Sequence, residues 1–236
     1  MTDKKVLKEM LEAACHFGHK ASKWNPKMAK YLYTKQDDVY IFDLTETYNC
    51  LMKALDFLKK LSEEGKIILL VSTKLQATRF VVEAAQKCGC PFVTRKWMPG
   101  LLTNFDTIKK RIKYFKDLKE QKASGQLEEK YTKKERLDLS RTLVKLENAF
   151  SGVENMSRLP DCVVVFDAVR DKLALKEARG LDIPTVGICD SNADPDFVTY
   201  PIPGNDDAVK ALKYFIDNVA SAIESGKKVE KVVAKE

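Results

Sequence analysis

From residue 39 onward, apolar positions come in two spacings that alternate along the chain. VYIFDL is a β-branched and aromatic run, and TETYNCLMKALDFLKKLSEEG after it places Leu51, Leu55, Leu58 and Leu61 at helical intervals before Gly65. The pair predicts a strand and then a helix that Gly65 ends. KIILLVS is a continuous apolar run typical of a strand buried on both faces, and KLQATRFVVEAAQKCG reads as a helix closed by Gly89. A short strand, PFVT, follows. After an interruption the theme returns with DCVVVFD, a helix around DKLALKEARG, the strand PTVGICD and the helix DDAVKALKYFIDNVASAIESG. Parallel strands need crossovers and helices supply them, so the alternation predicts an α/β fold with a doubly wound parallel sheet.

The interruption between Gly100 and Pro160 has no proline and is broken only by Gly125 and Gly152. Ile108, Ile112, Phe115 and Leu118 form one apolar stripe, and Leu139, Leu143, Leu146 and Phe150 a second, in steps of three and four. Two long amphipathic helices are predicted, with Gly125 as a C-cap and Thr132 and Glu135 as a capping box for the second. The expected organisation is an α/β domain over 1–105 and 151–226 and an inserted helical hairpin of coiled-coil type over 106–150. A flexible tail is expected over 227–236, where KKVEKVVAKE offers few apolar anchors.

Composition narrows the function. With 236 residues, 44% hydrophobic and 32% charged, the chain can bury a sizeable core and falls in the globular range. No apolar run approaches the ~20 residues that span a bilayer, and MTDKKVLKEML lacks the apolar core of a secretory signal, so a soluble, cytoplasmic protein is expected. Cys15, Cys50, Cys88, Cys90, Cys162 and Cys189 are scattered, mostly in apolar segments and without a C-x-x-C pair, which suits reduced core thiols. The net charge of +7 is uneven: residues 1–105 carry +6 and 106–148 carry +5, whereas 149–226 carry −6. One surface for a polyanion and another for a basic protein or a metal would explain this; an unevenly solvated surface is the simpler alternative.

A doubly wound sheet raises the question of a nucleotide. Its strand-to-helix turns read VSTKLQ and FDLTET, with neither G-x-G-x-x-G nor G-x-x-x-x-G-K-[ST], and without glycines the backbone cannot approach a pyrophosphate. PGNDDA has a glycine, but Asp206 and Asp207 repel a phosphate and have a structural use in the first turn of a helix. There is no G-x-S-x-G, and Cys15 sits in an apolar stretch with no evident activation by His16 or His19. No catalytic residue and no nucleotide cofactor are assigned. A metal is a separate matter. Asp190 closes the strand PTVGICD where ligands gather in open α/β sheets, and Asp206 and Asp207 open the next helix. If the N-terminal segment folds over this edge, His19 joins them as a donor for zinc, or the carboxylates serve magnesium. Otherwise the aspartates cap amides and His19 touches a neighbour.

Both tryptophans lie in basic surroundings. Lys20, Lys23, Lys27 and Lys30 surround Trp24, and Arg95 and Lys96 flank Trp97. Cations neutralise phosphates and an indole can stack on a base, which suits RNA. Lys109, Lys113 and Lys116 share the face of the first hairpin helix opposite its apolar stripe; Asn104, Lys110, Arg111, Lys133 and Lys134 are counted with them. The competing readings are indoles packed in the core and an ordinary solvated lysine face.

The motifs HFGH and WNPKM, then KWMPGLLTN, TKKE, LEN with Gly152, LPD, DPD and IPGNDDA run in that order over nearly the whole chain. In that order and spacing they resemble the bacterial type of small-subunit ribosomal protein two. The resemblance implies a Rossmann-like α/β domain with an inserted helical hairpin and a structural, non-enzymatic place in the small ribosomal subunit. It also implies contact with small-subunit ribosomal RNA and neighbouring ribosomal proteins, and recruitment of the large ribosomal protein one. Some members of that family look able to hold zinc at the positions of His19, Asp190 and Asp206. This chain departs from the usual pattern in having Pro99 and Gly100 where the family has two glycines, which implies a stiffer loop after Trp97.

Overall fold

A computed structural model describes residues 4–233, with the side chains of 128–129 and 228–233 left out. The chain opens with α1 (Lys4–Glu12) and three short strands, β1 (Phe17–Lys20), β2 (Leu32–Gln36) and β3 (Val39–Phe42). Next come α2 (Leu44–Glu63), β4 (Ile68–Val71), α3 (Leu75–Cys88) and β5 (Phe92–Val93). The insertion contains α4 (Phe105–Ala123), α5 (Gln126–Lys130) and α6 (Lys133–Phe150). The chain then returns through β6 (Cys162–Val165), α7 (Lys172–Arg179), β7 (Thr185–Cys189), β8 (Tyr200–Pro203) and α8 (Val209–Val233).

The central sheet has the order β5-β4-β6-β7-β8 and is parallel throughout, as the alternating pattern predicts. Two strand assignments change. The VYIFDL strand is β3, and it lies in a separate antiparallel sheet of order β1-β3-β2. Asp37 and Asp38 both take positive φ (49° and 65°) between β2 and β3, which makes a two-residue hairpin the local solution instead of a crossover. The fifth parallel strand is YPIP, which its two prolines conceal. It occupies an edge, where missing N–H donors on one side cost no ladder bonds.

Every residue of β4, β6 and β7 is buried, and alternation sends their side chains to two cores. Ile68, Leu70, Val164 and Ile188 meet α2, α3 and α8 through Leu51, Leu58, Val81 and Phe215. Leu69, Val71, Val163 and Val165 face the side of α7 and the insertion, in one cluster with Ile108, Ile112, Phe115, Leu118, Leu143 and Phe150. Trp97, Leu101, Leu102, Val153 and Met156 belong to that cluster too, so the base of the hairpin shares the core of the body. Leu139 and Leu146 are only partly buried, and the short α5 with Leu127 sits between the two long helices. The capping elements form where expected: Gly125 has φ +77°, and the Glu135 carboxylate accepts from the Thr132 N–H at 2.9 Å.

The last helix runs further than the sequence suggests. A Cβ on Gly226 would lie 2.6 Å from the Lys59 carbonyl oxygen, so glycine lets α8 close on α2. Lys227 Nζ then donates to the Cys88 carbonyl at 2.5 Å. Helix α8 continues to Val233, through most of the segment expected to be a flexible tail, and 234–236 lie outside the described residues. All six cysteines are free, and burial pushes the Cys15 thiol up to about 12 and Cys90 up to about 11, which keeps both protonated. Among the described residues no helix is long and apolar enough to cross a membrane.

Candidate ion cluster and nucleic-acid interface

In this sheet the chain turns one way from β4 to β5 and the other way from β6 to β7, so the crevice between the C-terminal ends of β4 and β6 is the topological switch point. A lysine fills it. Lys74 follows β4 at the N-cap of α3, is 6% exposed, and places Nζ 2.7 Å from Asp206, 2.7 Å from Asp207 and 3.1 Å from Asp167. Asp167 follows β6 and accepts from the Val169 and Arg170 N–H groups at 3.1 and 2.7 Å. Beside it, Asp171 accepts from the Thr73 hydroxyl at 2.7 Å and the Thr73 N–H at 3.1 Å. Loops from both sides of the switch point are thus tied across it.

The N-terminal segment folds over the same edge. Gly18 lies so close that an added Cβ would be 3.0 Å from Ser191 Oγ. The His19 N–H donates to Ser191 Oγ at 2.8 Å and to Asp190 Oδ1 at 3.1 Å. Its ring reaches Asp190 through Nδ1 at 3.1 Å and Asp207 through Nε2 at 3.5 Å. The hydrogen bond to Asp190 holds the imidazole up to about 9 against the effect of burial, and Asp206 and Asp207 add to this. Burial and the neighbouring Asp190 and Asp167 push Asp206 up to about 7, with Lys74 working in the other direction. Burial alone would lower the Lys74 pKa, but Asp206 and Asp207 outweigh it and keep the ammonium charged.

A second polar knot lies below the insertion. Trp97 is 6% exposed, and its indole N–H donates to Glu177 Oε1 at 2.9 Å. The same carboxylate accepts from the N–H groups of Gly100 (2.9 Å), Leu102 (3.0 Å) and Thr103 (3.3 Å), so one side chain of α7 fixes the loop that leads into α4. Burial raises the Glu177 pKa, but the bonds from Trp97 and the loop amides outweigh it and hold the carboxyl below its usual range. Trp97 is therefore not a platform for RNA bases: both its ring and its N–H are used inside the protein. Trp24 is half-buried, with its ring 4.9 Å from that of Tyr40. Lys27 pairs with Asp194 at 3.0 Å and Asp196 at 2.7 Å, which withdraws it from the set of free cations.

The other sequence-predicted cations face solvent. Lys20, Lys23, Lys30, Arg95 and Lys96 are exposed, as is Asn104, whose side chain makes no capping bond at the start of α4. Lys109, Lys110, Arg111 and Lys113 are exposed and Lys116 is partly so. Lys133 and Lys134, also exposed, open α6; Lys133 borders a cleft with Lys122 and Gly125 at the far end of the hairpin. Lys109 to Lys122 spans 13 residues, or about 20 Å of helix, and with Lys113, Lys116 and Lys119 between them cations run along most of α4.

The family model described as Ribosomal protein S2 matches residues 10–226. The chain belongs to this family. Small ribosomal subunit protein uS2 of Sulfurimonas denitrificans is 44% identical over 222 residues, 94% of this chain and 85% of its own length. The uS2 protein of Fusobacterium nucleatum is 42% identical over 93% of this chain and 89% of its own. Small ribosomal subunit protein uS2c of Cyanophora paradoxa is 42% identical over 94% of each chain. The S2 span includes His19, Lys74, Glu177, the acidic edge and the whole insertion.

The donor set that the S2 resemblance suggests for zinc is only partly the one assembled here. His19, Asp206 and Asp207 each bring one donor atom within 4.8 Å of one another. Asp190 instead uses its oxygens on the His19 N–H and ring and on the Asp206 N–H. Lys74 Nζ already lies against Asp206 and Asp207, so an added divalent ion would share two carboxylates with a fixed ammonium. The arrangement fits an internal ion cluster better than an open cation cage.

Lys74 and Glu177 escape the sequence reading although both leave a trace in it. A lysine at a helix N-terminus opposes the helix dipole, which signals a compensating anion. Glu177 shares the apolar face of its helix with Ala174 and Ala178, three positions before and one after it, a place where a carboxylate must find donors.

Proposed function

We propose that this chain is a structural, non-enzymatic constituent of the small subunit of a cytoplasmic ribosome, where it binds ribosomal RNA and neighbouring small-subunit proteins. The match to the S2 family over residues 10–226 carries this reading. Two features of the molecule support it. Lys74 and its aspartates occupy the crevice in which a doubly wound sheet would otherwise receive a nucleotide, so the fold serves as a scaffold. The exposed cations Lys20, Lys23 and Lys30 and the row on α4 supply charge for phosphate contacts. The acidic part of the chain, 149–226, is the surface proposed for protein partners, ribosomal protein one among them.

Co-sedimentation with purified small subunits tests the assignment, and a chain that stays in the supernatant at low salt would refute it. Binding to a small-subunit RNA fragment is expected to weaken steeply with salt. Replacing Lys109, Lys113 and Lys116 together should flatten that slope by about two to three units, near one for each phosphate no longer neutralised.

A further inference from the structure

A cleft of about 310 Å³ runs between α4 and the segment 154–157. Its floor is Ile112 and Met156, each 5% exposed, and one wall is the row of Lys109, Lys113 and Lys116. The three follow stripe residues by one position and so flank the apolar stripe instead of lying opposite it as the sequence reading had them. These lysines are spaced i, i+4 and i+7, so they share one helix face over about 10 Å. Among the described residues none of the three pairs with a carboxylate; the neighbouring Lys119 pairs instead with Glu154, at 3.3 Å. On the opposite wall Asn155 and Ser157 are exposed, and their side chains make no hydrogen bond among the described residues. The cleft therefore joins a single row of cations, an apolar floor and free amide and hydroxyl groups.

We propose that this groove holds one unpaired nucleotide of the bound RNA, with its phosphate on the Lys109–Lys116 row and its base over Ile112 and Met156, read by Asn155 and Ser157. The proposal rests on the RNA-binding reading above and makes it specific. A duplex presents its bases stacked and closed, whereas a bulged base exposes both an apolar face and a hydrogen-bonding edge. The volume lies at the small end of ligand sites, enough for a nucleotide and too small for stacked base pairs. Asp117 and Glu120 border the same cleft and oppose a second row of phosphates, which again favours one strand over two.

The test uses the full chain and fluorescently labelled RNA stems, one fully paired and one with a single bulged nucleotide, each of the four bases in turn, in an anisotropy titration at fixed salt. The wild type is expected to bind at least one bulged stem about tenfold more tightly than the paired stem. Asn155→Ala with Ser157→Ala should reduce that preference below about threefold and leave paired-stem affinity unchanged, since both residues are exposed and outside the core. Equal binding of paired and bulged stems by the wild type overturns the groove, as does an undiminished preference in the double variant. Lys109→Gln with Lys113→Gln and Lys116→Gln should weaken both RNAs. If it weakens neither, the RNA contact of this face fails altogether; if it weakens both without any preference for the bulge, only the groove fails.

Discussion

Replacing Glu177 by alanine removes one carboxylate and strands the N–H groups of Trp97, Gly100, Leu102 and Thr103. Two of these donors, on Trp97 and Leu102, are buried, and each buried donor left unsatisfied costs about 1–3 kcal/mol. Water entering the vacated space recovers part of this, so a net loss of about 3–4 kcal/mol is expected, in line with breaking a buried charged network. Glu177→Gln keeps one carbonyl acceptor but turns an NH2 group towards the remaining donors, and should cost about 2 kcal/mol. Urea unfolding followed by far-UV circular dichroism measures both, provided the slopes match that of the wild type. The pH dependence gives an independent check. Because the folded carboxyl is held below its usual range, its contribution is present above the unfolded pKa of about 4.3 and is lost as pH falls through the folded value. The stability gap between wild type and Glu177→Gln should therefore narrow in acid. An alanine variant within about 1 kcal/mol of wild type, or a gap that stays constant down to low pH, would show that the loop does not depend on this carboxylate.

Two further predictions concern the ion cluster. The folded His19 pKa is held up to about 9, so its stabilisation is complete below the unfolded value of about 6.5 and is lost as pH rises through about 9. Thermal melts of the wild type should fall over that window and those of His19→Gln should not; parallel curves would refute the latch between β1 and the acidic edge. Lys74→Met leaves Asp167 and Asp206 buried without their cation and should cost about 3–5 kcal/mol. Zinc or magnesium should raise the melting temperature of this variant more than that of the wild type, since removing the ammonium vacates the space between the carboxylates; a larger shift in the wild type would mean that Lys74 does not compete with a cation.

The parallel sheet was legible because β4, β6 and β7 are buried on both faces and read as unbroken apolar runs. Strands with weaker signatures were not. β8 carries Pro201 and Pro203 and is possible only at an edge, and the sequence of β1, FGHK, has no apolar alternation because one side of it lies against the ion cluster. The hairpin stripes were readable on α4, where all four predicted positions are buried, and less so on α6, where Leu139 and Leu146 remain partly open. At the site both alternatives left open by the sequence find a part: His19 folds over the acidic edge to reach Asp190 and Asp207, and Asp190 caps the His19 and Asp206 amides. What pattern alone could not settle was which charges face inward. Lys27 and Lys74 both look like free cations in sequence, yet each is consumed by aspartates more than 90 residues away. Trp97 looks like part of a basic patch because its neighbours Arg95 and Lys96 point outward while it points in.

The two polar knots explain how a fold usually associated with cofactors becomes a binding scaffold. At the switch point a nucleotide-binding sheet needs glycines and free helix N-terminal amides to receive phosphate. Here Lys74 stands at that helix start, and its charge is matched by Asp167, Asp206 and Asp207 from the loops that would have bordered the ligand. The crevice is thereby converted from a receptor into a tie between β4, β6 and α8. Glu177 does the corresponding work on the other core, joining α7 to the loop that launches α4. With both junctions fixed internally, the charge left over faces outward on the hairpin and the N-terminal segment. A scaffold for RNA needs that division, since cations held in internal ties cannot also neutralise phosphates. It follows that disrupting either knot should weaken RNA binding only through stability or hairpin orientation, whereas substitutions on the α4 row should weaken it with the fold intact.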